Sequence, residues 1–523
     1  MVCSKIRRFH SEIFKSFGLF SLIFSLIFCF SCSADFGTLS RVTEETLADG
    51  TLVMVYMAGA NSLSSEIITD LNNMELGLYN SSPTTKRNLH VVALADQMDS
   101  NIDDEYALQC AWNGTRLYEV QSDSSSATYL LSSGKLVSAN IGSTLVKTAS
   151  YTLNGQTVEW RTSSDQEEDM GDISTLAHFI YWARETHPYC SKQILILWDH
   201  GAGYSSEYSY SASSESSRNV CSDDETVVEK NLEDESFGTT LYIDEIHELL
   251  ETIYSEDNKL EMIGFDACYM GQYEVAYEFK DVAKYMAASP VTEYGGWTYD
   301  YIFAQDDSVL SGKNFAMNVV TGYEIDNYTG NCMTAFDLSY MTELKEKIDN
   351  LASDVGLRIL SLGSTSTIIT EVNNNTTVKF LSLSHSTQYD KYYPYYELGS
   401  YLDYFSSNDS YGDQGFGDDV KSDVEEVQAI LKKIVLRTWL STHYGSQYDD
   451  GISYGMGIFG GTKNYSGSSK KYTVYNFYTD SIYTQDSSVL GYGGIDAATL
   501  GSTGGTVETW RELQNLIYTG SGY

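Results

Sequence analysis

Apolar runs and helical periods alternate along the first 330 residues of this chain. Residues 52–57 (LVMVYM) are apolar throughout, as in a strand buried on both faces. Gly59-Ala60-Asn61-Ser62 then predicts a turn. Residues 64–78 carry a helical period, and 89–95 form a second apolar run. Residues 113–170 are rich in Ser, Thr and Gly with short alternating pieces, which predicts a β-hairpin excursion. Ile173, Leu176, Phe179, Ile180 and Ala183 share one side of a helix over 172–186, which Pro188 stops. A strand-like run at 194–201 (ILILWDHG) follows. Residues 204–240 are Ser- and acid-rich, almost without period, and read as an exposed loop. A helix over 242–253, a strand over 260–268 (LEMIGFDAC), a helix over 271–281 and a strand over 285–288 complete the alternation. Aliphatic strands separated by helices imply a parallel sheet covered on both faces, so the class is α/β. Beyond residue 330 the pattern is α+β: helical periods at 338–362 and 420–438, with Tyr- and Gly-rich segments such as 451–461 suited to antiparallel strands.

At 523 residues the chain has room for two domains, or for one large domain with an appendage. Net charge is −40, with 32 Lys and Arg against 72 Asp and Glu. Such an excess repels nucleic acid and anionic lipid and favours cationic partners. The N-terminus departs from this balance. Lys5, Arg7, Arg8 and Lys15 precede an apolar run over 17–30 that ends at Ser31-Cys32, the layout of an export signal. The run is short for a membrane span. With Cys32 at the cut it resembles a bacterial lipoprotein signal, in which that cysteine carries the lipid. The expected organisation is a signal peptide over 1–31, a tether over 32–50, a core over 51–330 and a C-terminal region over 331–523. The expected location is exported and membrane-anchored, at the cell surface or in the periplasm.

Two strand-like runs end in reactive side chains, His200 in one and Cys268 in the other. The C-terminal edge of a parallel sheet is where ligands and catalytic groups collect, and a thiol with an imidazole suggests a nucleophile and its base. If Cys32 is lipidated, five cysteines remain, so at least one lies outside any intramolecular disulfide. No Cys/His spacing points to zinc. Asp266 lies two residues before Cys268, on the same side of an extended segment. Asp199, the immediate neighbour of His200, points away on that alternation. A helix starting near Gly271 would favour the thiolate through its N-terminus.

Several blocks together resemble the clostripain-type cysteine peptidases: Tyr56-Met57-Ala58-Gly59-Ala60-Asn61-Ser62-Leu63 with Asp70-Leu71-Asn72-Asn73-Met74-Glu75, then Met170-Gly171-Asp172, then residues 195–203 (LILWDHGAG), 265–271 (FDACYMG) and 287–297. The resemblance implies a caspase-like parallel-sheet core flanked by helices, and endopeptidase activity after Arg or Lys. It casts Cys268 as nucleophile, His200 as general acid/base, the amides of Gly201 and Cys268 as oxyanion hole, and Asp266 as the acid that selects a basic P1 residue. Glu293 and Asp300 are the candidates for a further acid. Protein or peptide substrates with basic residues are the implied partners, besides the membrane reached through the N-terminal lipid.

Relatives of this kind cut themselves between the two catalytic residues; in the loop before the next helix the basic residues are Arg218, the first choice, and Lys230. The stretches Asp223-Asp224-Glu225 and Glu233-Asp234-Glu235 offer oxygen ligands of the kind calcium takes, without a fixed loop geometry. Calcium is therefore the one cofactor left open. The alternative class is an inactive surface lipoprotein that binds or adheres through its tyrosine-rich C-terminal region. Keeping His200, Cys268 and Asp266 together speaks against it.

Overall fold

The computed structural model describes residues 50–98, 112–124, 129–130, 136–137, 141–164, 166–203, 219–223, 239–293, 295–326, 332–362, 395–407, 415–440, 454–459, 510 and 513. All of them fall in the unit Ala48–Tyr523. The expected signal, Cys32 and the tether up to residue 49 lie outside the described residues, as do Arg218 and Lys230.

The elements that build the fold are, in chain order, β1 (Thr51–Gly59), α1 (Glu66–Asn80), β2 (Leu89–Gln97), β3 (Gly114–Glu119), β4 (Thr144–Leu145), α2 (Ile173–Thr186), β5 (Lys192–Trp198), β6 (Asn219–Asp223), β7 (Thr239–Tyr242), α3 (Ile243–Ile253), β8 (Leu260–Asp266), α4 (Tyr273–Glu278), β9 (Ala283–Ala288), α5 (Tyr299–Ala304), α6 (Gly312–Asp326), β10 (Cys332–Asp337), α7 (Met341–Leu362), β11 (Tyr395–Glu397), α8 (Leu398–Ser406), α9 (Asp418–Ile434), β12 (Val435–Leu440) and β13 (Gly457–Phe459). Nine of these strands form one sheet in the order β12-β10-β9-β8-β5-β1-β2-β3-β4. Its centre, from β9 through to β2, is parallel. Antiparallel strands extend both edges.

Strand β1 is buried at every position, and alternation sends its side chains to two cores. Leu52, Met54 and Tyr56 face one side with Leu176, Phe179 and Ile180 of α2 and Ile246 and Leu250 of α3. Val53, Val55 and Met57 face the other with Ile67, Leu71 and Met74 of α1 and with Ile302 and Phe303 of α5. Each such side chain contributes up to about 1.5–3 kcal/mol on burial. The helix expected over 172–186 is α2: Asp172 caps its start by accepting from Ser174 N at 2.8 Å, and it ends at Thr186, just before Pro188.

Three sequence expectations differ from the structure. The segment 204–240 is not wholly a loop: β6 and β7 pair antiparallel, and Val220, Cys221 and Asp223 are buried. The helix expected over 420–438 ends at Ile434, and Val435–Leu440 joins the sheet edge beside β10. Its β-branched and aromatic residues match a strand, and Thr334 and Thr438 hydroxyls meet across the pair at 2.8 Å. The helix expected over 271–281 shrinks to Tyr273–Glu278. Gly271 N bonds Ser289 O at 2.7 Å instead, so the stretch before the helix is held extended. Helices α5 and α6 were not anticipated, because short or weakly periodic apolar segments give a poor helical signal.

Candidate active site

Strands β5 and β8 are parallel neighbours with Trp198 opposite Asp266. His200 and Cys268 each follow two residues later, so both leave the sheet at the same level. The backbones stay close beyond the strands. Asp199 N donates to Asp266 O at 3.2 Å. A Cβ on Gly201 would stand 2.5 Å from the Cys268 carbonyl oxygen, so only glycine allows that approach. The structure thus brings His200, Gly201 and Cys268 to one place.

The Cys268 loop is zipped to the chain after β9: Tyr269 N donates to Val291 O and Gly271 N to Ser289 O, at 2.9 and 2.7 Å. Tyr269 adopts φ 60°, unusual for a bulky residue, and turns the chain sharply just after the cysteine. Its hydroxyl meets Thr292 Oγ1 at 2.7 Å. The sulfur accepts from Glu293 N at 3.2 Å. Among the described cysteines, Cys190, Cys221, Cys268 and Cys332 are free, and only Cys268 is not fully buried. The atoms packed round its sulfur still push the thiol up to about 12; the Glu293 amide opposes this, and the charges of Glu293, Asp199 and Asp266 add to it. The thiolate stabilisation expected from a nearby helix N-terminus is therefore outweighed by burial and negative charge.

The histidine side is polar. His200 is exposed, and its Nε2 lies 2.8 Å from Ser62 Oγ in the turn after β1. Asp199 is buried and turned away from the ring. It accepts from Asn61 Nδ2 at 2.7 Å and from the Ser222 amide and hydroxyl. Burial pushes its carboxyl up to about 8 against those bonds. Asn61 also donates to Ala58 O (3.0 Å) and Ser222 O (3.1 Å), and its Oδ1 accepts from Leu63 N at 2.9 Å.

Behind the cysteine three carboxyls converge. Asp266 Oδ2 accepts from Tyr299 OH at 2.8 Å and from Trp297 N at 3.2 Å. Burial pushes Asp266 up to about 6. Burial and then the Asp266 charge push Glu293 well above the carboxylate range, and the two carboxyls share a side-chain hydrogen bond. Glu293 also accepts from Tyr323 OH. The third is Asp70 of α1, whose Oδ2 accepts from Trp198 Nε1 at 2.8 Å. Burial, and then Asp266, hold its carboxyl well above the usual value. A Cβ on Gly296 would stand 3.2 Å from Asp70 Oδ2 and 3.5 Å from both Asp266 oxygens, so the bare glycine faces the gap between them. Among the described residues no basic side chain forms an ion pair with any of the three. Asp300 stands apart on α5, with its carboxyl on Tyr301 N. Asp70 could not be singled out from the sequence: it looks like one polar position of an amphipathic helix.

Two further features border the site. Segments distant in the chain close on it: Tyr395 OH donates to Ala202 O at 2.9 Å, and Gly457 N donates to Gly271 O at 3.0 Å. Near the Ser222 contact with Asp199, Asp96, Glu167 and Asp223 each bring a carboxylate oxygen within 4.8 Å of the others. An all-oxygen set of this kind suits calcium or magnesium, and such groupings are also common without an ion. Among the described residues no helix is long and apolar enough to cross a membrane.

Compared with known proteins, residues 55–496 match the model of the clostripain family. A curated relative, clostripain of Hathewaya histolytica, is 27% identical over 332 residues, which span 57% of this chain and 55% of that protein. The match thus covers little more than half the relative's length. Among solved structures, an inactive zymogen C11 protease from Parabacteroides distasonis is 17% identical, covering 79% of this chain and 92% of the other at a TM-score of 0.49. A secreted C11 cysteine protease from Bacteroides thetaiotaomicron, in complex with an irreversible peptide inhibitor, is 16% identical, covering 83% and 97% at a TM-score of 0.49.

Proposed function

Because the chain belongs to the clostripain family, we propose that it is a cysteine endopeptidase that hydrolyses peptide bonds after Arg or Lys. Cys268 is the nucleophile and His200 the general acid/base. The observation that carries this reading is the exit of both residues at one level from adjacent parallel strands, with Gly201 against the Cys268 carbonyl.

The chemistry follows from the electrostatics. With the thiol held near 12, the resting sulfur is protonated at neutral pH, and His200 must take its proton as the sulfur attacks the substrate carbonyl. The amides of Gly201 and Cys268 receive the developing oxyanion. His200 then protonates the leaving amine, and a water activated by the same imidazole hydrolyses the thioester. Asp266, carrying the charge of the acid cluster, meets the P1 cation, with Glu293 and Asp70 beside it. A cation bound there also offsets the Asp266 charge that helps to hold the thiol up. A charge-assisted contact of about 2 kcal/mol is worth roughly thirtyfold in selectivity.

The test is a set of fluorogenic peptides differing only at P1. Arg and Lys should be cleaved at least about thirtyfold faster than Gln or Ala, and Cys268→Ala should abolish turnover. Equal rates on neutral P1 residues would overturn the specificity, and full activity in Cys268→Ala would overturn the nucleophile.

Self-processing belongs to the same reading, after Arg218 first and Lys230 second. Asn219, next to Arg218, opens β6, and Val220 of that strand is bridged to Gly201. A cut after Arg218 would leave its new end tied beside the catalytic loop. Intact-mass comparison of wild type with Cys268→Ala checks this, and identical processing in both would refute it. Export with lipid on Cys32 is tested by Cys32→Ala, which should move the protein from the membrane fraction to the soluble one.

A further inference from the structure

We infer that Ser62 is the positioning residue that orients His200, completing a Cys268–His200–Ser62 arrangement. The inference rests on the dyad reading above and extends it to a residue in the turn after β1.

Ser62 Oγ and His200 Nε2 are 2.8 Å apart. Both side chains are exposed, and an exposed pair alone would be a weak restraint. What fixes it is the bond one residue earlier on each side, Asn61 Nδ2 to Asp199 Oδ1 at 2.7 Å, buried between the two turns. β1 and β5 are parallel neighbours with Met57 opposite Trp198, so both turns leave adjacent strand ends. The Ser62 turn is held internally as well, by Leu63 N on Asn61 Oδ1 (2.9 Å), Ser64 N on Asn61 O (3.2 Å) and Glu66 N on Leu63 O (2.9 Å). Ser222 ties Asp199 from the other side. The hydroxyl is thus presented at a fixed point rather than left to a mobile loop.

The contact decides which ring nitrogen works. If Nε2 carries hydrogen and donates to Ser62 Oγ, Nδ1 has the lone pair that accepts the Cys268 proton. In the opposite tautomer Nδ1 is already protonated and cannot act as base. When the proton moves from sulfur to Nδ1, the imidazolium still donates from Nε2 to Ser62, which stabilises the cation. When the tetrahedral intermediate collapses, its C–N bond breaks and the same Nδ1 proton passes to the leaving amine, so the ring ends the acylation neutral with Nε2–H still on Ser62. Asp199 is excluded from this task, because both its oxygens are engaged by Asn61 and Ser222.

The experiment compares Ser62→Ala and Ser62→Thr with wild type on the P1-Arg peptide across pH, with Cys268→Ala and His200→Ala as controls and melting temperature as the folding check. Ser62→Ala should lower kcat about tenfold, a fraction of a full acid–base contribution. KM should stay within about twofold, and the pH limb belonging to His200 should move to lower pH, since the imidazolium loses an acceptor. Ser62→Thr, which keeps the hydroxyl, should recover most of kcat. An unchanged kcat and pH limb in Ser62→Ala, with both controls inactive, overturns the role of Ser62 alone. So does a loss that Thr fails to restore while the melting temperature holds. Activity surviving in His200→Ala would instead remove the dyad, and Ser62 with it.

Discussion

His200 stands exposed on a turn held by side-chain hydrogen bonds, whereas Cys268 sits in a loop zipped to a neighbouring backbone and crowded by carboxyls. The two residues leave the same sheet edge at the same height, yet their surroundings are opposite. The histidine side offers polar partners and water. The cysteine side gathers buried carboxyls. On the proposed reading, the acids that select a basic substrate also keep the thiol protonated until one arrives. Reactivity and selectivity are then linked on the cysteine side, while orientation of the base is a separate matter on the histidine side.

That contrast can be broken at several points, with effects of decreasing size. Cys268→Ala or His200→Ala should each lower kcat on a P1-Arg peptide by more than about a thousandfold, measured by steady-state kinetics. Next comes Asp266→Asn. It should lower kcat/KM for P1-Arg by about thirtyfold and leave a neutral-P1 peptide nearly unchanged, which separates selectivity from the dyad. Gly201→Ala should then cost about tenfold in kcat without regard to P1, because its Cβ would force the two catalytic loops apart.

The smallest effect is on stability, and its sign runs against activity. Burial raises the folded-state pKa of Asp266 to about 6, above the ordinary carboxylate value near 4. Its contribution to stability is therefore full below about pH 4 and is lost as pH rises through about 6. Above that range the protein bears the cost of a buried charge. Asp266→Asn should raise the melting temperature by a few degrees at neutral pH and leave it unchanged in acid, by calorimetry. A basic ligand should do likewise by pairing with the charge, and its affinity should strengthen as pH rises through about 6.

Much of the central architecture was readable from local pattern. Runs such as 52–57 and 194–198 are buried on both faces, so they carry hydrophobicity at every position rather than alternately. The α/β arrangement with helices on both faces is what that pattern led one to expect. The strand at Val435–Leu440 was hidden because a helical period runs straight into it, and only pairing with Cys332–Asp337 makes it a strand. Buried β6 was hidden because it is set in a long acidic, serine-rich stretch whose composition reads as loop.

The site divides in the same way. His200 and Cys268 stood out because each lies where an apolar run stops, a feature of the chain itself, whereas the roles expected of Gly201 and Asp266 came with the family resemblance. Glu293 was one of two guesses, and Asp70 and Ser62 were invisible as site residues. Asp70 is 196 positions from Asp266 and Ser62 is 138 from His200, so no spacing could join them.

By itself the sequence determined the central strands, several of the covering helices and the two reactive side chains, because hydrophobic periodicity and strand ends are local properties. Only the tertiary structure decided what surrounds those side chains. Hydrogen bonding, burial and charge crowding depend on which segments meet in space, and here the turn after β1, helix α1 and the loop after β9 meet at one sheet edge.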